Sequence, residues 1–343
     1  MDWAVILAGG SGSRFWPLSS RTHPKQLLPL AGLRSTAEET LDRLTGFIPP
    51  ARTIVVCGPD LAGPLASRLS LRSENVLVEP RPASTGPALV WATHQIRRRD
   101  PEAGVLAMHA DWVVGDPAAF VRTAGSALEA ARRHNRLVTV GIVPSRPETG
   151  YGYIVPGEPL DQGTRSVARF VEKPEAGAAL DLMAEGALWN SGLFAWTADR
   201  LLAEVAAHTP EIARSLDRLE QGDVAGFFSG VTAISVDVGV LERSEKVAVV
   251  PGHFDWDDVG TWEALTRVRP LDKSGNVAVG PAALVDAADC IVWSEGTPIV
   301  VSGVRDLVVV HANNRILVVS RTQAADLKRL LEQLPPEIRD LPS

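Results

Sequence analysis

The sequence predicts an α/β fold with a mixed, mostly parallel sheet, followed by a smaller β-rich domain. Short apolar runs alternate with helix-like segments through the first two-thirds of the 343 residues, which is typical of βαβ units. Segments 87–99 and 117–135 each open with proline, which is favoured at the first helical position. After the first apolar run at residues 4–7, four further apolar runs have the length of buried strands: Thr53–Cys57, Val76–Val78, 105–108 and Leu137–Ile142.

The first apolar run, residues 4–7, ends abruptly at a glycine-rich turn. Glycines let backbone N–H groups approach an anionic ligand closely, and the cations Arg14 and Lys25 follow the turn. Ligands of parallel sheets bind at the carboxyl ends of the strands, so this turn is the expected phosphate site. The glycines concerned are Gly9, Gly10 and Gly12.

The spacing of this turn excludes two common nucleotide-binding motifs. There is no G-x-x-x-x-G-K-[ST] for a P-loop, and the sixth position of a dinucleotide fingerprint starting at Gly10 is Phe15. The glycines alone would also fit an ordinary tight turn in any α/β protein.

Composition restricts the function further. A formal net charge of −7 gives no electrostatic basis for nucleic-acid binding, and no segment has the length of a membrane span. Cys57 and Cys290 lie far apart in β-like runs, which favours two buried thiols over a disulfide or a metal site. The amino terminus lacks a basic region and a long apolar run, so we expect no signal peptide and a cytoplasmic location.

The whole stretch 4–30, reading AVILAGGSGSRFWPLSSRTHPKQLLPL, resembles the signature of sugar-nucleotide pyrophosphorylases. The resemblance implies a Rossmann-like nucleotidyltransferase domain over residues 1–270, with Arg14 and Lys25 as catalytic cations. It also implies that the start of this stretch binds the nucleotide, through Leu7, Ala8, Gly9, Gly10 and Gly12.

A second loop, residues 78–87, follows a predicted strand and precedes a helix. Its Ser84 or Thr85 could cap that helix. Similar enzymes that use GTP carry Glu-Pro and then Asn-Thr-Ala-Pro here, in a loop that lines the base pocket. The resemblance therefore implies nucleotide contacts from Glu79, Pro80, Ser84 and Thr85, although Ser84 and Gly86 replace the family's Asn and Ala.

Two aspartates are candidate metal ligands. Asp111 follows a predicted strand, where a carboxylate beside phosphates would suit Mg²⁺, although a helix cap is the commoner role. Period-two alternation places Asp255 and Asp257 on one face and Asp258 inward with aromatic side chains. Both Asp111 and Asp258 match metal-binding positions of the resembled family, whereas the flanking residues His109 and Trp112 depart from its pattern.

Three further motifs occur in the order found in sugar-1-phosphate nucleotidyltransferases, especially those acting on mannose 1-phosphate. They are T-G-Y-G-Y-I at 149–154, F-V-E-K-P at 170–174 and W-N-S-G-L-F at 189–194. Glu172 and Lys173 could otherwise be solvent-facing charges at a strand end. The resemblance implies a sugar-phosphate site that contains Gly150, Tyr151, Glu172, Lys173 and Asn190, with Lys173 on the phosphate.

The chain after Asn276 changes to short β-rich runs that end in a helix around 324–334. We expect a small domain over 275–343, and related enzymes place a short left-handed β-helix there, used for packing or dimer contacts. A homodimer is therefore one possible state. Longer relatives fuse a metal-dependent phosphomannose isomerase domain. Here fewer than eighty residues follow Asn276, and His311 is the one histidine among them. One histidine cannot build a His-rich metal site, so we expect no isomerase activity.

These resemblances together imply a guanylyltransferase that joins GTP and mannose 1-phosphate, with Mg²⁺, to form GDP-mannose and pyrophosphate. Two alternatives stay open. The chain could act on another base or sugar, as a glucose-1-phosphate thymidylyltransferase does, or it could be a catalytically silent regulatory homologue that binds nucleotide sugars. Retention of all five charged positions (Arg14, Lys25, Asp111, Lys173 and Asp258) argues against silence.

Overall fold

The computed structural model describes residues 1–10, 12–20 and 23–340, so Ser11, Arg21 and Thr22 of the signature stretch lie outside the described residues. Contacts divide the chain into two compact units. Unit 1 comprises residues 1–9, 43–109 and 114–256, and unit 2 comprises 10–42, 110–113 and 257–343. This division follows contacts, and the domain boundary expected at 270–275 stays a prediction.

Unit 1 is built on a mixed nine-stranded sheet. Its strands are β1 (Asp2–Ala8), β2 (Thr53–Cys57), β3 (Val76–Val78), β4 (Gly104–His109), β6 (Leu137–Ile142), β7 (Tyr153–Pro159), β8 (Arg165–Val171), β9 (Leu188–Thr197) and β10 (Val247–Gly252). The order across the sheet is β3-β2-β1-β4-β9-β6-β10-β8-β7. Strands β1 to β4 run parallel, whereas β9 is antiparallel to both β4 and β6. The α/β fold with a mixed sheet is thus confirmed.

The helices of unit 1 pack on this sheet. Their bounds are α2 (Pro59–Leu69), α3 (Thr85–Arg99), α4 (Pro117–His134), α5 (Ala176–Ala184), α6 (Ala198–His208), α7 (Pro210–Ala213), α8 (Leu216–Glu220) and α9 (Val224–Gly230). A π-helix follows at Asp237–Leu241. The core includes Val5 of β1, Leu89 of α3 and Trp196 of β9, all fully buried.

The register of the parallel strands brings their carboxyl ends to one edge. Ala8 pairs with Cys57, and Cys57 pairs with Val78, while Leu7 pairs with His109 on the other side of β1. The chain therefore leaves β1, β3 and β4 at the same edge of the sheet, with β2 between β3 and β1. These are three of the loops for which the sequence predicts ligand contacts.

Unit 2 contains a stack of short strands, called the β-rich coil below, and several short helices. Its strands are β12 (Val277–Val279), β13 (Ala282–Val285), β14 (Ile291–Ser294), β15 (Ile299–Ser302), β16 (Leu307–Ala312) and β17 (Arg315–Ser320). Strands β12, β14 and β16 stack in parallel, as do β13 and β15, and β17 closes the larger sheet antiparallel to β16. Parallel stacking of successive turns is the arrangement of a β-helix, and its left-handed sense stays a prediction.

The helix expected around 324–334 is divided. The structure has α10 (Leu265–Val268), α11 (Arg321–Ala324), α12 (Leu327–Leu331) and α13 (Pro336–Arg339). The predicted closing helix is present as α12 but is shorter than expected, because the chain leaves helical geometry at Asp326, with φ −114° and ψ 47°. Leu327 and Leu331 are nevertheless buried, as the amphipathic pattern requires. Three elements span the limits of the units: α1 (Thr36–Leu44), β5 (Val113–Val114) and β11 (Trp256–Asp257).

An aromatic core joins the signature stretch to the β-rich coil within unit 2. The Phe15 ring meets Trp262 edge-on at 5.1 Å, and Trp262 meets Trp293 of β14 at 6.2 Å. Trp16 Nε1 donates to the carbonyl of Arg339, and Asn313 Nδ2 donates to the carbonyl of Pro17, both within 2.9 Å. The loop that carries Arg14 and Lys25 is thus fixed on the carboxyl-terminal strands.

Candidate active site

Gly12 organises the cationic loop of unit 2. Its φ of +61° lies in the left-handed region, and a Cβ there would come within 2.7 Å of the backbone nitrogen of Lys25. The Gly12 carbonyl accepts from Phe15 N at 3.0 Å and from Ser19 Oγ at 2.6 Å. Only glycine satisfies both this conformation and the close approach to Lys25. Arg14, two residues after Gly12, is exposed.

Lys25 contacts both candidate metal ligands, Asp111 through its carboxylate and Asp258 through its backbone carbonyl. Its Nζ donates to Asp111 Oδ2 at 2.9 Å and to the backbone carbonyl of Asp258. Lys25 is only 8% exposed, and a buried ammonium needs such partners because its desolvation is costly. Lys25, Asp111 and Asp258 are therefore neighbours within unit 2, although they are widely separated in sequence.

The acidic segment 254–260 differs from the alternation expected of it. Asp257 is buried and forms a fork with Arg267, whose Nη2 lies 3.0 Å from Asp257 Oδ1, whereas Asp258 is half-buried. The inward position predicted for Asp258 was wrong because the strand ends at Asp257. Asp257 Oδ1 also accepts from Val259 N at 2.8 Å, and Val259 turns the chain with φ +45°.

Unit 1 places the predicted nucleotide residues at the carboxyl edge of its sheet. Leu7 and Ala8 end β1 and are buried, and Gly9 beyond them is exposed. Glu79 follows β3, and its N–H donates to the carbonyl of Cys57 at 2.9 Å. Pro80, which comes next, is exposed at the same edge.

Glu79 carries an orphaned carboxyl oxygen. Its Oε1 is buried without a hydrogen-bond partner among the described residues, and desolvation raises the pKa of Glu79 to about 7. Burial, and next the Glu79 carboxyl, raise the pKa of Cys57 to about 12, so this thiol stays protonated. A buried acceptor with no internal partner is costly, and a ligand that donates hydrogen bonds would remove that cost.

The rest of this loop is tied to the segment before the π-helix. Thr85 Oγ1 accepts from Val236 N at 3.0 Å, and Gly86 N donates to the carbonyl of Ile234 at 3.1 Å. A Cβ on Gly86 would lie 2.6 Å from that carbonyl, which explains glycine where the family has alanine. Ser84 occupies the cap position of α3 with φ +68°, but neither it nor Thr85 makes the expected capping bond.

The sugar-phosphate motifs converge within unit 1. Asn190 N donates to the carbonyl of Gly152 at 2.8 Å, and Lys173 N donates to that of Tyr151 at 3.2 Å. Glu172 lies over Gly152, where a Cβ would be 2.6 Å from Glu172 Oε2. Lys173 has φ +48° and its ammonium pairs with Glu172, so a strained backbone presents an exposed cation at this site. Gly150, also exposed, donates its N–H to Glu148.

A β-bulge explains the W-N-S-G-L-F motif. Thr139 pairs with Phe194 and Gly141 with Asn190, so five residues of β9 face three of β6. Gly192 has φ +77°, and Ser191 Oγ donates to the carbonyl of Val140 at 2.7 Å. Bulges commonly redirect a side chain at active sites, and here the redirected side chain is Asn190.

Sequence reasoning missed the aromatic support of this site. Tyr151 meets Trp189 edge-on at 5.2 Å and Trp256 at 5.1 Å. The guanidinium of Arg146 lies 5.0 Å from the Trp189 ring centre and forms an ion pair with Glu148 at 3.1 Å. Arg146 and Thr139 carry no recognisable motif, since their roles depend on neighbours that are distant in sequence.

The described residues contain no group of three or more His, Cys, Asp or Glu side chains arranged to hold a metal ion. Two carboxylates are enough for Mg²⁺, which is commonly bound by one or two carboxylates together with substrate phosphates and water. Among the residues that the structure describes, every helix is too short or too polar to cross a membrane. Cys57 and Cys290 are both buried free thiols, as the sequence predicts.

A mixed sheet with candidate ligand residues after its parallel strands is typical of α/β proteins that bind ligands at the carboxyl ends of the strands. Residues 3–275 match the nucleotidyl transferase family, and residues 280–334 match the MannoseP isomerase/GMP-like beta-helix domain. The chain belongs to the nucleotidyl transferase family.

Named relatives cover almost the entire chain. A mannose-1-phosphate guanylyltransferase of Klebsiella pneumoniae is 35% identical over 96% of this chain and 73% of its own length. One from Escherichia coli K12 is 34% identical over 98% and 74% respectively. A crystal structure described as mannose-1-phosphate geranyltransferase from Thermus thermophilus is 34% identical, with a TM-score of 0.91 over 97% of this chain and 98% of that one.

Proposed function

We propose that this chain transfers GMP from GTP to α-D-mannose 1-phosphate, forming GDP-mannose and pyrophosphate. The observation that carries the proposal is the assembly of the family's motifs into charged clusters, in a chain at least 34% identical to mannose-1-phosphate guanylyltransferases over nearly its full length. Product analysis with a panel of nucleotides and sugar 1-phosphates tests it.

The reaction needs positioning and charge neutralisation more than proton transfer. An oxygen of the sugar phosphate attacks the α-phosphorus of GTP, a new P–O bond forms, and the bond to the β-phosphate breaks as pyrophosphate leaves with the electron pair. The nucleophile is already an anion, so no general base is required. Lys173 would hold the attacking phosphate, while Arg14 and Lys25 would stabilise charge on the phosphates of GTP.

The donor set of Asp111 and Asp258 fits Mg²⁺. Both offer carboxylate oxygens, which hard divalent cations prefer, and Lys25 contacts the carboxylate of Asp111 and the backbone carbonyl of Asp258. When bound, Mg²⁺ would neutralise phosphate charge during the transfer. Lys25 would fix the Asp111 carboxylate in position through their ion pair.

Glu79 is the proposed reader of the guanine base. Guanine presents two adjacent donors, N1–H and its amino group, and an ionised carboxylate can accept from both. The buried Oε1 of Glu79 has no partner among the described residues, which supports this role, although a backbone carbonyl beside it could share the task. A site built for such bonds can reject a base that lacks them by roughly 10⁴-fold.

Affinity for the guanine nucleotide is expected to depend on pH through Glu79. Its pKa of about 7 leaves the carboxyl protonated in more acidic solution, so binding that requires the carboxylate must then release a proton. Affinity should fall about tenfold per pH unit below 7 and reach a plateau above it. Calorimetry with GDP-mannose measures this cleanly, since its diphosphate does not titrate in that range.

Glu79→Gln is the matched variant for this prediction. It should bind GDP-mannose more weakly at pH 8 and show no dependence on pH between 6 and 8 (both about one unit from the pKa). A variant with the same pH profile as the wild type would remove Glu79 from the role, without affecting the assignment of the reaction.

Lys173→Ala is expected to lower the affinity for mannose 1-phosphate about 10- to 100-fold, because a charge-assisted hydrogen bond to phosphate is lost. GTP affinity should stay nearly unchanged. Lys246→Ala is the control, because Lys246 is an exposed lysine of the same unit outside the motifs. Equal losses of both ligands in titration calorimetry would contradict the assignment of Lys173 to the sugar phosphate.

Transfer to another base or sugar, and a silent nucleotide-sugar-binding role, are the alternatives. Retained charges at Arg14, Lys25, Asp111, Lys173 and Asp258 favour an active enzyme. We also propose a cytoplasmic location. We further propose a homodimer formed through the carboxyl-terminal strands, and sedimentation of the purified chain would test whether it is a dimer.

A further inference from the structure

Asn190 is held in one orientation by its neighbours. Its Oδ1 accepts from Thr139 Oγ1 at 2.8 Å and from Gly192 N at 3.3 Å. A backbone N–H can only donate, so the atom facing Gly192 is the amide oxygen. The amide nitrogen consequently faces Asp237, and Asn190 Nδ2 donates to Asp237 Oδ1 at 2.8 Å.

This arrangement leaves an amide donor beside a carboxyl acceptor. Among the described residues, the second hydrogen on Asn190 Nδ2 has no protein acceptor, and no other side chain engages Asp237 Oδ2. Asn190 and Asp237 are both half-buried, so a ligand can reach them. A hydroxyl group accepts and donates at the same time, and it therefore matches this pair of groups.

The surroundings of Asp237 favour a ligand over water. Asp237 begins the π-helix, a rare element that is frequent at functional sites. Desolvation, and next the charge of Glu172, raise the pKa of Asp237, while His109 acts in the opposite direction. Val236, the residue before it, bonds to Thr85 of the loop proposed to bind the base. Asp237 thus lies among groups assigned to both substrates.

We propose that Asp237 binds the sugar directly, accepting a hydrogen bond from one ring hydroxyl of the hexose 1-phosphate while Asn190 donates to the same hydroxyl. Thr139 is a positioning residue, since its hydroxyl fixes the Asn190 amide. This inference rests on the proposed function as a sugar-1-phosphate nucleotidyltransferase. It assigns specificity among hexoses to Asp237.

The test compares kcat/KM for mannose 1-phosphate and its 2-, 3-, 4- and 6-deoxy analogues in the wild type and Asp237→Asn. With the wild type, kcat/KM for one analogue should be about 10- to 100-fold lower than for mannose 1-phosphate, because both hydrogen bonds to the missing hydroxyl are lost. Asp237→Asn should reduce that one penalty, because only the hydrogen bond from Asn190 to this hydroxyl remains, and should leave the other penalties unchanged. Asp223→Asn is the control, because Asp223 is a helix cap of the same unit that accepts from Gly226 N at 2.8 Å.

A second pair of variants keeps the test independent of the folding of Asp237→Asn. Thr139→Val should reduce the same analogue's penalty, because the Asn190 amide loses one of its two fixing donors, and Thr139→Ser should restore it. A structural role alone would lower kcat/KM equally for all analogues.

Equal losses across the analogues, or unchanged discrimination in Asp237→Asn and Thr139→Val, would overturn the assignment of Asp237 in an active enzyme. Failure of the proposed function would look different. The wild type itself would then turn over none of these sugar phosphates with GTP, and both conclusions would be overturned together.

Discussion

Asp111→Asn is expected to lower kcat/KM by about 10²- to 10³-fold or more, the loss typical of removing one preorganised group that stabilises transition-state charge. The amide keeps the shape of the carboxylate and can still accept from Lys25 Nζ, which lies 2.9 Å from Asp111 Oδ2. The fold should therefore be retained while the charge is lost. Asp258→Asn should behave in the same way if both carboxylates serve Mg²⁺.

Rates measured at saturating and at limiting Mg²⁺ give a sharper test. Both variants should need more Mg²⁺ for half-maximal rate than the wild type does. Asp116→Asn is the control, because Asp116 caps α4 by accepting from Ala119 N and belongs to no site motif. Near-normal activity of Asp111→Asn or Asp258→Asn at limiting Mg²⁺ would contradict the metal assignment.

Trp262→Ala is expected to lower the free energy of unfolding by about 3–5 kcal/mol, the usual cost of deleting a large buried aromatic side chain. Trp262 is fully buried and contacts both Phe15 of the signature stretch and Trp293 of β14. Its loss would leave a cavity at the point where the cationic loop packs on the carboxyl-terminal strands. Urea denaturation followed by circular dichroism measures the change.

Trp262→Phe is the matched control, since it retains an aromatic ring for the edge-on contacts and leaves a smaller cavity. We expect it to lose less stability than Trp262→Ala. The indole Nε1 has no partner among the described residues, so neither variant sacrifices a hydrogen bond. Equal stabilities of Trp262→Ala and the wild type would show that this core does not support the loop.

The strand ends were predictable from sequence, because apolar runs that stop at glycine, proline or charged residues mark the carboxyl edge of a parallel sheet. Glu79 and Asp111 were singled out in this way, whereas Lys173 follows β8, which runs antiparallel to both of its neighbours, and was singled out by resemblance. Gly12 was also predictable, although the second reason for it, close approach to Lys25, required the fold.

Other features depend on contacts that no local pattern contains. Alternation placed Asp258 inward, but the strand ends one residue earlier and Arg267, ten residues away in sequence, partners Asp257 instead. Thr139 reads as an ordinary mid-strand residue, and its role appears only when the bulge in β9 brings Asn190 to it. Packing of Phe15 on Trp262 likewise joins segments that are far apart in the sequence and share no local pattern.

The central claim is the identity of the substrate pair, and one assay tests it most directly. Purified protein with Mg²⁺ is given GTP, ATP, UTP or dTTP, each with mannose 1-phosphate or glucose 1-phosphate, and pyrophosphate release and the nucleotide-sugar product are measured. GTP with mannose 1-phosphate should give the highest kcat/KM and yield GDP-mannose. Preference for dTTP or UTP, or for glucose 1-phosphate, or absence of turnover with every pair, would contradict the account.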